Sequence, residues 1–209
     1  LTLEIVFSLL GEDFKIYAGI FKVMLMPLLI INILYESNFF QNKFLITALI
    51  FAWLGDIFLI FPGQTNFIYG LGSFLVMQLV YIYLFWKNLA HFKINNPMNL
   101  LMTILTSLYV IGMVNYLSPQ LEKGLYFPVL IYSICLGLTF LLAGWNFFTN
   151  LSKQNKFLFL GAFLFLFSDS CLAINIFVQE LSFSSLFIMG TYGFAQLFLS
   201  KGLTEKIVF

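Results

Sequence analysis

The sequence has few charged residues and no arginine. Only 9% of its 209 residues are charged, whereas 61% are hydrophobic, and average soluble domains contain about 25% charged residues. Because a soluble globule of this size needs far more polar surface, the composition excludes an ordinary soluble domain. The net charge of +1 also provides no basic footprint for binding nucleic acid.

Residues that bind metals or form disulfides are equally scarce. Cys135 and Cys171 lie within apolar runs, and the single histidine, His91, lies in a polar loop. These residues lack the spacing of a zinc site or of a disulfide framework, so we expect no metal. The sequence also lacks a GxSxG elbow, an HExxH helix, a P-loop and a dinucleotide fingerprint. Serine-hydrolase, zincin and nucleotide chemistry are therefore unsupported.

Apolar runs of helical length are abundant. A helix needs about 20 residues to cross about 30 Å of hydrocarbon, and short loops with turn residues such as Pro62 and Gly63 separate the runs. The chain starts with Leu rather than Met, and we expect residues 1–10 to be the end of a truncated first span, which makes about eight. The sequence predicts an all-α, polytopic transmembrane bundle, with residues 1–209 as a single integral-membrane domain. The seven complete predicted spans are 16–35, 43–61, 66–86, 98–117, 125–148, 156–178 and 183–201.

Lysines are distributed unequally between the two predicted sides of the membrane. Cytoplasmic loops are enriched in basic residues, so the lysine-rich side, which includes the C-terminus, is expected to be cytoplasmic. With eight spans the N-terminus would lie there too, and the expected location is a bacterial inner membrane. The lysine-rich side carries Lys43, Lys87, Lys93, Lys153, Lys156, Lys201 and Lys206, and the other side carries Lys15 and Lys123.

Two segments of the chain resemble each other. Lys43-Phe-Leu precedes Asp56, and Lys156-Phe-Leu precedes Asp169, by the same number of residues, and each segment is followed by a Phe-Ile-x-Gly motif. Copies four spans apart run in the same direction, which favours two parallel four-helix repeats related by an axis along the membrane normal. Chance similarity within Phe- and Leu-rich sequence is the alternative.

Asp56 and Asp169 are the strongest candidates for chemistry. Both lie within predicted spans, where a carboxylate costs about 2.5–3.5 kcal/mol on insertion scales. Their equal spacing from a lysine predicts one shared depth, about 20 Å along the helix. Two carboxylates in a low-dielectric site share a proton, which supplies an acid and a base. The alternative is that each aspartate makes only a structural hydrogen bond between helices.

Further polar side chains within the spans are predicted to line the site. Lys22 either pairs with one aspartate, leaving the other as the acid, or extends to the membrane surface. Gln78 and Gln196 are notable because an amide in hydrocarbon requires a partner. The predicted binding residues are Lys22, Gln78, Tyr81, Tyr132, Asn175, Tyr192 and Gln196.

Three segments resemble the YhhN-type lysoplasmalogenase family: residues 52–59, 161–173 and 191–196. The resemblance covers nearly the whole chain in the number and order of spans. Its most specific part is a Ser-Asp segment followed by Tyr-x-x-x-Gln. Lys22 corresponds to the family's lysine early in its second span, although the usual adjoining proline is displaced here. Gln78 stands where the family typically has histidine, which puts any histidine-dependent proton step in doubt.

This resemblance implies a hydrolase that needs no metal or other cofactor and cleaves the vinyl ether bond of lysoplasmalogens, releasing a fatty aldehyde and a glycerophospho-alcohol. The implied partners are a lysophospholipid substrate and the bilayer. A protonated aspartate would protonate the enol ether, and its ionised partner would stabilise the oxocarbenium ion and activate water. Which of Asp56 and Asp169 is the acid stays open.

Two other functions are compatible with the same residues. A small transporter or lipid-binding membrane protein would use the aspartate pair as a proton or cation site. A scaffold would use the aspartates only to hold helices together. A polar path from one face to the other past Gln78 would favour transport, and a closed inner end would favour a hydrolase.

Overall fold

The computed structural model describes residues 15–36, 39–89, 96–122, 124–184 and 186–207. This part of the chain contains seven α-helices and no strand, so the predicted all-α class is confirmed. A 3₁₀ turn, Ser118–Gln120, follows the fourth helix, and a π-helical turn, Leu186–Gly190, precedes the seventh. The helices are α1 (Lys15–Glu36), α2 (Phe39–Phe58), α3 (Gln64–Lys87), α4 (Pro97–Leu117), α5 (Tyr126–Thr149), α6 (Lys153–Phe177) and α7 (Thr191–Ile207).

Each of the seven predicted spans coincides with one of these helices. The largest difference is at the end of the chain, where residues 183–201 were predicted as helix and α7 runs from Thr191 to Ile207. The π-helical turn Leu186–Gly190 lies in the first half of this predicted span, and Phe183, at the first position of the span, has a φ of 59°, which an α-helix does not contain. Residues 1–10 lie outside the described residues, so the eight-span count and the parallel repeats stay predictions.

Four helices in the described part are long and apolar enough to cross a membrane: Gln64–Lys87, Pro97–Gln120, Tyr126–Thr149 and Lys153–Phe177. A shorter apolar helix, Val23–Tyr35, lies within α1. Together with the low charge content, these helices identify an integral membrane protein.

The helix ends follow from local sequence. Gly63, which precedes α3, has a φ of 116°, a conformation that residues with a Cβ rarely adopt. Asn96 caps α4 by accepting a hydrogen bond from the Met98 amide at 3.0 Å, and Pro97 occupies the first helical position, where no amide hydrogen is needed. Ser152 caps α6 in the same manner through the Asn155 amide at 3.2 Å.

Large apolar side chains cover much of the bundle surface, and several polar side chains are buried among the apolar residues of its interior. Large apolar side chains such as Phe127 and Leu108 point outward, with 69% and 61% of their surface exposed. In contrast, Gln78, Gln196 and Asp56 are buried. This arrangement is expected where hydrocarbon surrounds the helices, because polar groups then need partners inside the protein.

Small residues allow the closest helix contacts. A Cβ atom at Gly55 of α2 would lie 2.8 Å from the Phe74 ring of α3, next to Asp56. A Cβ at Gly161 of α6 would lie 3.0 Å from both the Ala195 carbonyl oxygen and the Leu199 amide nitrogen of α7. These glycines allow close packing of α2 against α3 and of α6 against α7. Asp56 lies on α2 in the first pair, and Asp169 lies on α6 in the second.

We expect Gly161→Ala to lower the unfolding free energy by about 1–3 kcal/mol, because the added methyl group meets backbone atoms that can move only if α6 and α7 separate. Gly112→Ala on α4 is the matched control, since nothing lies within 4 Å of its Cβ position. Thermal unfolding of the two variants in detergent measures the difference. Equal midpoints would contradict the close contact of α6 and α7.

Candidate active site

Asp56 is buried near the end of α2, with 1% of its surface exposed. Its Oδ2 atom accepts a hydrogen bond of 2.9 Å from the Tyr192 hydroxyl. Tyr192 is the second residue of α7, which follows the π-helical turn directly. The contact therefore joins α2 to α7 through two residues that are 136 positions apart in the chain.

Asp169 lies in α6 and is bound in a similar way. Its Oδ2 atom accepts a hydrogen bond from the hydroxyl of Tyr132, which lies in α5. Ser168, the residue before it, donates to the Ile188 carbonyl oxygen at 2.8 Å. This second bond attaches α6 to the π-helical turn that leads into Tyr192.

The two aspartates belong to one electrostatic environment. The Tyr192 hydroxyl, which donates to Asp56, also interacts electrostatically with Asp169 and with Tyr81. Burial strengthens such interactions because little water is present to screen them. The structure thus brings Asp56, Asp169, Tyr132 and Tyr192 together.

Two glutamines of the predicted set have hydrogen-bonded side chains in the interior of the bundle. Gln196 of α7 accepts a hydrogen bond of 2.6 Å from the Tyr81 hydroxyl, and its Nε2 atom donates to the Met77 sulfur at 3.3 Å. Gln78 of α3 accepts a bond of 2.6 Å from the Thr139 hydroxyl through Oε1. Both glutamines are fully buried.

A narrow cavity of about 70 Å³ reaches Asp169 between α3, α4, α5 and α6. Most of its wall is apolar, and its polar lining consists of Tyr109, Tyr132, Ser133, Asp169 and Ser170. Asp56 is not among the lining residues. The two carboxylates therefore differ in access, because Asp169 lines the cavity, whereas Asp56 is buried and does not line it.

The cavity adjoins a more polar recess at the bundle end where α3 begins. Four residues line both spaces: Leu59, Phe67, Ile176 and Phe177. The recess adds Gln64, Gln120 and Glu122, and the Gln64 amide donates to Glu122 at 3.0 Å. We call this recess the polar mouth.

Two predicted site residues are not brought to the aspartates by the described contacts. Asn175 accepts a hydrogen bond of 2.9 Å from the Leu181 amide through its Oδ1 atom and so holds the connection between α6 and α7. The Lys22 position falls within α1, but its side chain lies outside the described part of the structure. Its pairing with an aspartate stays a prediction.

Sequence reasoning missed several polar residues that contact Asp169, its neighbour Ser170 or Gln78. The Tyr109 hydroxyl is hydrogen-bonded to Ser170 and interacts electrostatically with Asp169. Thr139 lies on α5, two helical turns after Tyr132, and its hydroxyl donates to Gln78. Ser170 adjoins Asp169 in the sequence and was available as a signal, whereas Tyr109 and Thr139 belong to no motif.

No cluster of three or more potential metal ligands occurs among the described residues. The chemistry that the arrangement itself supports is proton transfer, because two carboxylates with unequal access are combined with buried hydroxyl and amide groups.

Comparisons with known proteins agree on a family. The model of the YhhN family matches residues 17–203. Lysoplasmalogenase TMEM86B of Rattus norvegicus is 33% identical over 153 residues, which are 73% of this chain and 58% of that protein. Lysoplasmalogenase TMEM86B of Mus musculus is 32% identical over 152 residues, or 73% of this chain and 59% of that protein. Lysoplasmalogenase TMEM86A of Bos taurus is 28% identical over 168 residues, which are 76% of this chain and 64% of that protein.

These alignments span less than two thirds of the relatives' own length. No solved structure matches the chain.

We expect Tyr192→Phe to lower the unfolding free energy by about 1–3 kcal/mol, because it removes the donor to the buried Asp56 carboxylate. Tyr116→Phe on α4 is the control, since this side chain is half exposed. Chemical or thermal unfolding in detergent compares the two hydroxyl deletions. Equal effects would argue against a structural role for the Tyr192–Asp56 bond.

Proposed function

This chain belongs to the YhhN family, and we propose that it is a membrane-embedded hydrolase that cleaves the vinyl ether bond of lysoplasmalogens. The products are a fatty aldehyde and a glycerophospho-alcohol. The observation that carries the proposal is the unequal access of the two carboxyl groups: Asp169 lines the cavity, whereas Asp56 is buried and does not. The names of the relatives, which are lysoplasmalogenases, support the same reaction.

Vinyl ether hydrolysis begins with transfer of a proton to the enol-ether carbon. The donor must reach the substrate, so the cavity-facing Asp169 is assigned as the general acid. Tyr132 donates to Oδ2 of Asp169 and so fixes the orientation of the carboxyl group that carries the acidic proton. Protonation of the carbon converts the ether into an oxocarbenium ion.

Asp56 is assigned as the ionised partner. Two neighbouring carboxylates in a low-dielectric site do not both ionise readily, so one proton is shared between them. The Tyr192 hydroxyl stabilises a charge on Asp56 by donating to it. That negative charge stabilises the oxocarbenium ion through the low-dielectric interior. The Asp169 carboxylate left after proton transfer activates the water that attacks this ion and recovers its proton from that water. The hemiacetal that forms then collapses to aldehyde and alcohol.

The polarity of the cavity and of the polar mouth is suited to an amphiphile with a single hydrocarbon chain. Its wall is mostly apolar, whereas the polar mouth has two amides and one carboxylate. A lysophospholipid combines one apolar chain with a polar head in the same way. The surrounding bilayer delivers such a substrate, and the C-terminus lies on the cytoplasmic side in this proposal, as the lysine distribution predicts.

Replacing either aspartate with asparagine tests the mechanism. We expect Asp169→Asn and Asp56→Asn each to lower the rate of aldehyde release from a vinyl ether lysophospholipid by at least about 100-fold, the usual contribution of acid–base catalysis. The assay uses purified protein in detergent with EDTA present. Glu180→Gln, at an exposed position on the loop after α6, is the control and should retain full activity.

Folding of each variant is checked by its thermal unfolding midpoint. A folded wild-type protein that releases no aldehyde would contradict the proposed reaction and favour the transport or lipid-binding alternative. Full activity in either folded asparagine variant would contradict the paired-aspartate mechanism alone.

A further inference from the structure

The side-chain amide of Gln78 has a hydrogen-bond partner at its oxygen atom but not at its nitrogen atom. Thr139 has a single hydroxyl proton and lies 2.6 Å from Gln78 Oε1 and 3.0 Å from the Cys135 carbonyl oxygen. The shorter contact is to Gln78, and the Cys135 carbonyl also belongs to the hydrogen-bond ladder of α5. The amide oxygen of Gln78 therefore faces Thr139, and its Nε2 atom points the other way.

The Nε2 atom of Gln78 is buried without a hydrogen-bond partner. Buried donors in proteins are almost always satisfied, and an exception often marks a functional position. Gln196 offers a contrast within the same bundle, because both its oxygen and its nitrogen have partners in Tyr81 and Met77. Other buried side-chain atoms in the described part, such as Trp53 Nε1 and Ser200 Oγ, also lack a hydrogen-bond partner, so the unused donor at Gln78 is informative through the group that lies next to it.

The nearest role for this donor is at Tyr132. The Tyr132 hydroxyl interacts with the Gln78 side chain, and Tyr132 lies two turns before Thr139 on the same helix. Tyr132 gives its own proton to Asp169, so its oxygen remains free to accept one. Hydrogen bonds of this kind are commonly long in a site without substrate and shorten in the reacting complex.

We propose that Gln78, oriented by Thr139, is a positioning residue that donates through Nε2 to the Tyr132 oxygen and thereby strengthens the Tyr132 bond to Asp169. The inference rests on the proposed function, in which Asp169 is the acid. Thr139, Gln78, Tyr132 and Asp169 then form one chain in which every donor points toward the carboxylate. Hydrogen bonds in such a chain strengthen one another.

This chain acts at the moment when Asp169 gives up its proton. Negative charge develops on Asp169 in the transition state, and a strengthened donor at Oδ2 stabilises that charge more than it stabilises the neutral acid. Loss of the Gln78 donor should therefore lower kcat and leave KM almost unchanged. Gln78 itself does not line the cavity, so it is not expected to contact the substrate.

The kinetic test compares variants of similar shape. We expect Gln78→Met and Thr139→Val each to lower kcat for aldehyde release by about tenfold, the order expected for one buried hydrogen bond, with little change in KM. Gln78→His should keep most of the wild-type kcat that Gln78→Met loses, because a neutral imidazole accepts a hydrogen bond on one nitrogen and donates one from the other. Thr106→Val is the control for Thr139→Val, since both threonines are 4% exposed and Thr106 has no hydrogen-bond partner.

A double-mutant comparison separates positioning from general packing. In the Tyr132→Phe background the Gln78→Met change should have no further effect on kcat, because its target oxygen is gone. Additive losses in the double variant, or an unchanged kcat in Gln78→Met, would overturn the proposal. An equal loss in Thr106→Val would also overturn it, by showing that any buried threonine has the same effect.

A second measurement does not depend on catalysis. 3-Fluorotyrosine incorporated at position 132 reports the environment of the hydroxyl through its ¹⁹F chemical shift in detergent. We expect the signal to move in Gln78→Met and Thr139→Val and to stay in place in Thr106→Val. If the wild type releases no aldehyde, the proposed function fails, and the ¹⁹F shift still decides the Gln78–Tyr132 contact. An unchanged ¹⁹F chemical shift in Gln78→Met would overturn the proposed contact between Gln78 and Tyr132.

Discussion

A carboxyl group inside an apolar bundle is stable only when polar groups contact it, and this requirement organises the centre of the protein. Asp56 and Asp169 each accept a hydrogen bond from a buried tyrosine on another helix, Tyr192 and Tyr132 respectively. Without such donors, desolvation of the two groups would oppose folding. The bonds tie α2 to α7 and α5 to α6, so the same contacts that make the aspartates tolerable also define the relative positions of four helices.

The remaining buried polar groups extend from this centre. Tyr81 interacts with the Tyr192 hydroxyl and is itself bound to Gln196, and Gln78 adjoins Tyr132. Hydrocarbon around the bundle offers no hydrogen bonds, so polar side chains collect where they can satisfy one another. The cavity reaches this network only at Asp169, Tyr132 and their neighbours. Access, rather than residue type, distinguishes the two carboxylates and underlies their proposed roles.

Sequence reasoning predicted the helical class and a span that overlaps each of the seven described helices, because runs of apolar residues must be helical in a membrane. The last span was predicted too early in the chain, because the apolar run includes the π-helical turn Leu186–Gly190. It selected Asp56, Asp169, Tyr132, Tyr192 and Gln78, because polar groups in such runs are rare and costly. It did not find Tyr109 or Thr139. These residues reach the site only through the packing of α4 and α5 against other helices. Asn175 was selected on the same grounds, but it lies in the last turn of α6 and accepts a hydrogen bond from the Leu181 amide in the connection to α7.

The sequence by itself determined the class of protein, the number of helices in the described part and the spacing that puts each aspartate at a similar distance from a lysine. These properties depend on composition and on the fixed rise of a helix, which are local. Only the tertiary structure decided which tyrosine meets which aspartate and which carboxylate faces the cavity. The helices of this bundle are apolar on nearly all sides, so their sequences do not mark the face that turns inward. Rotation of each helix is set by close contacts such as Gly55 with Phe74 and Gly161 with Ala195, which join residues distant in the chain.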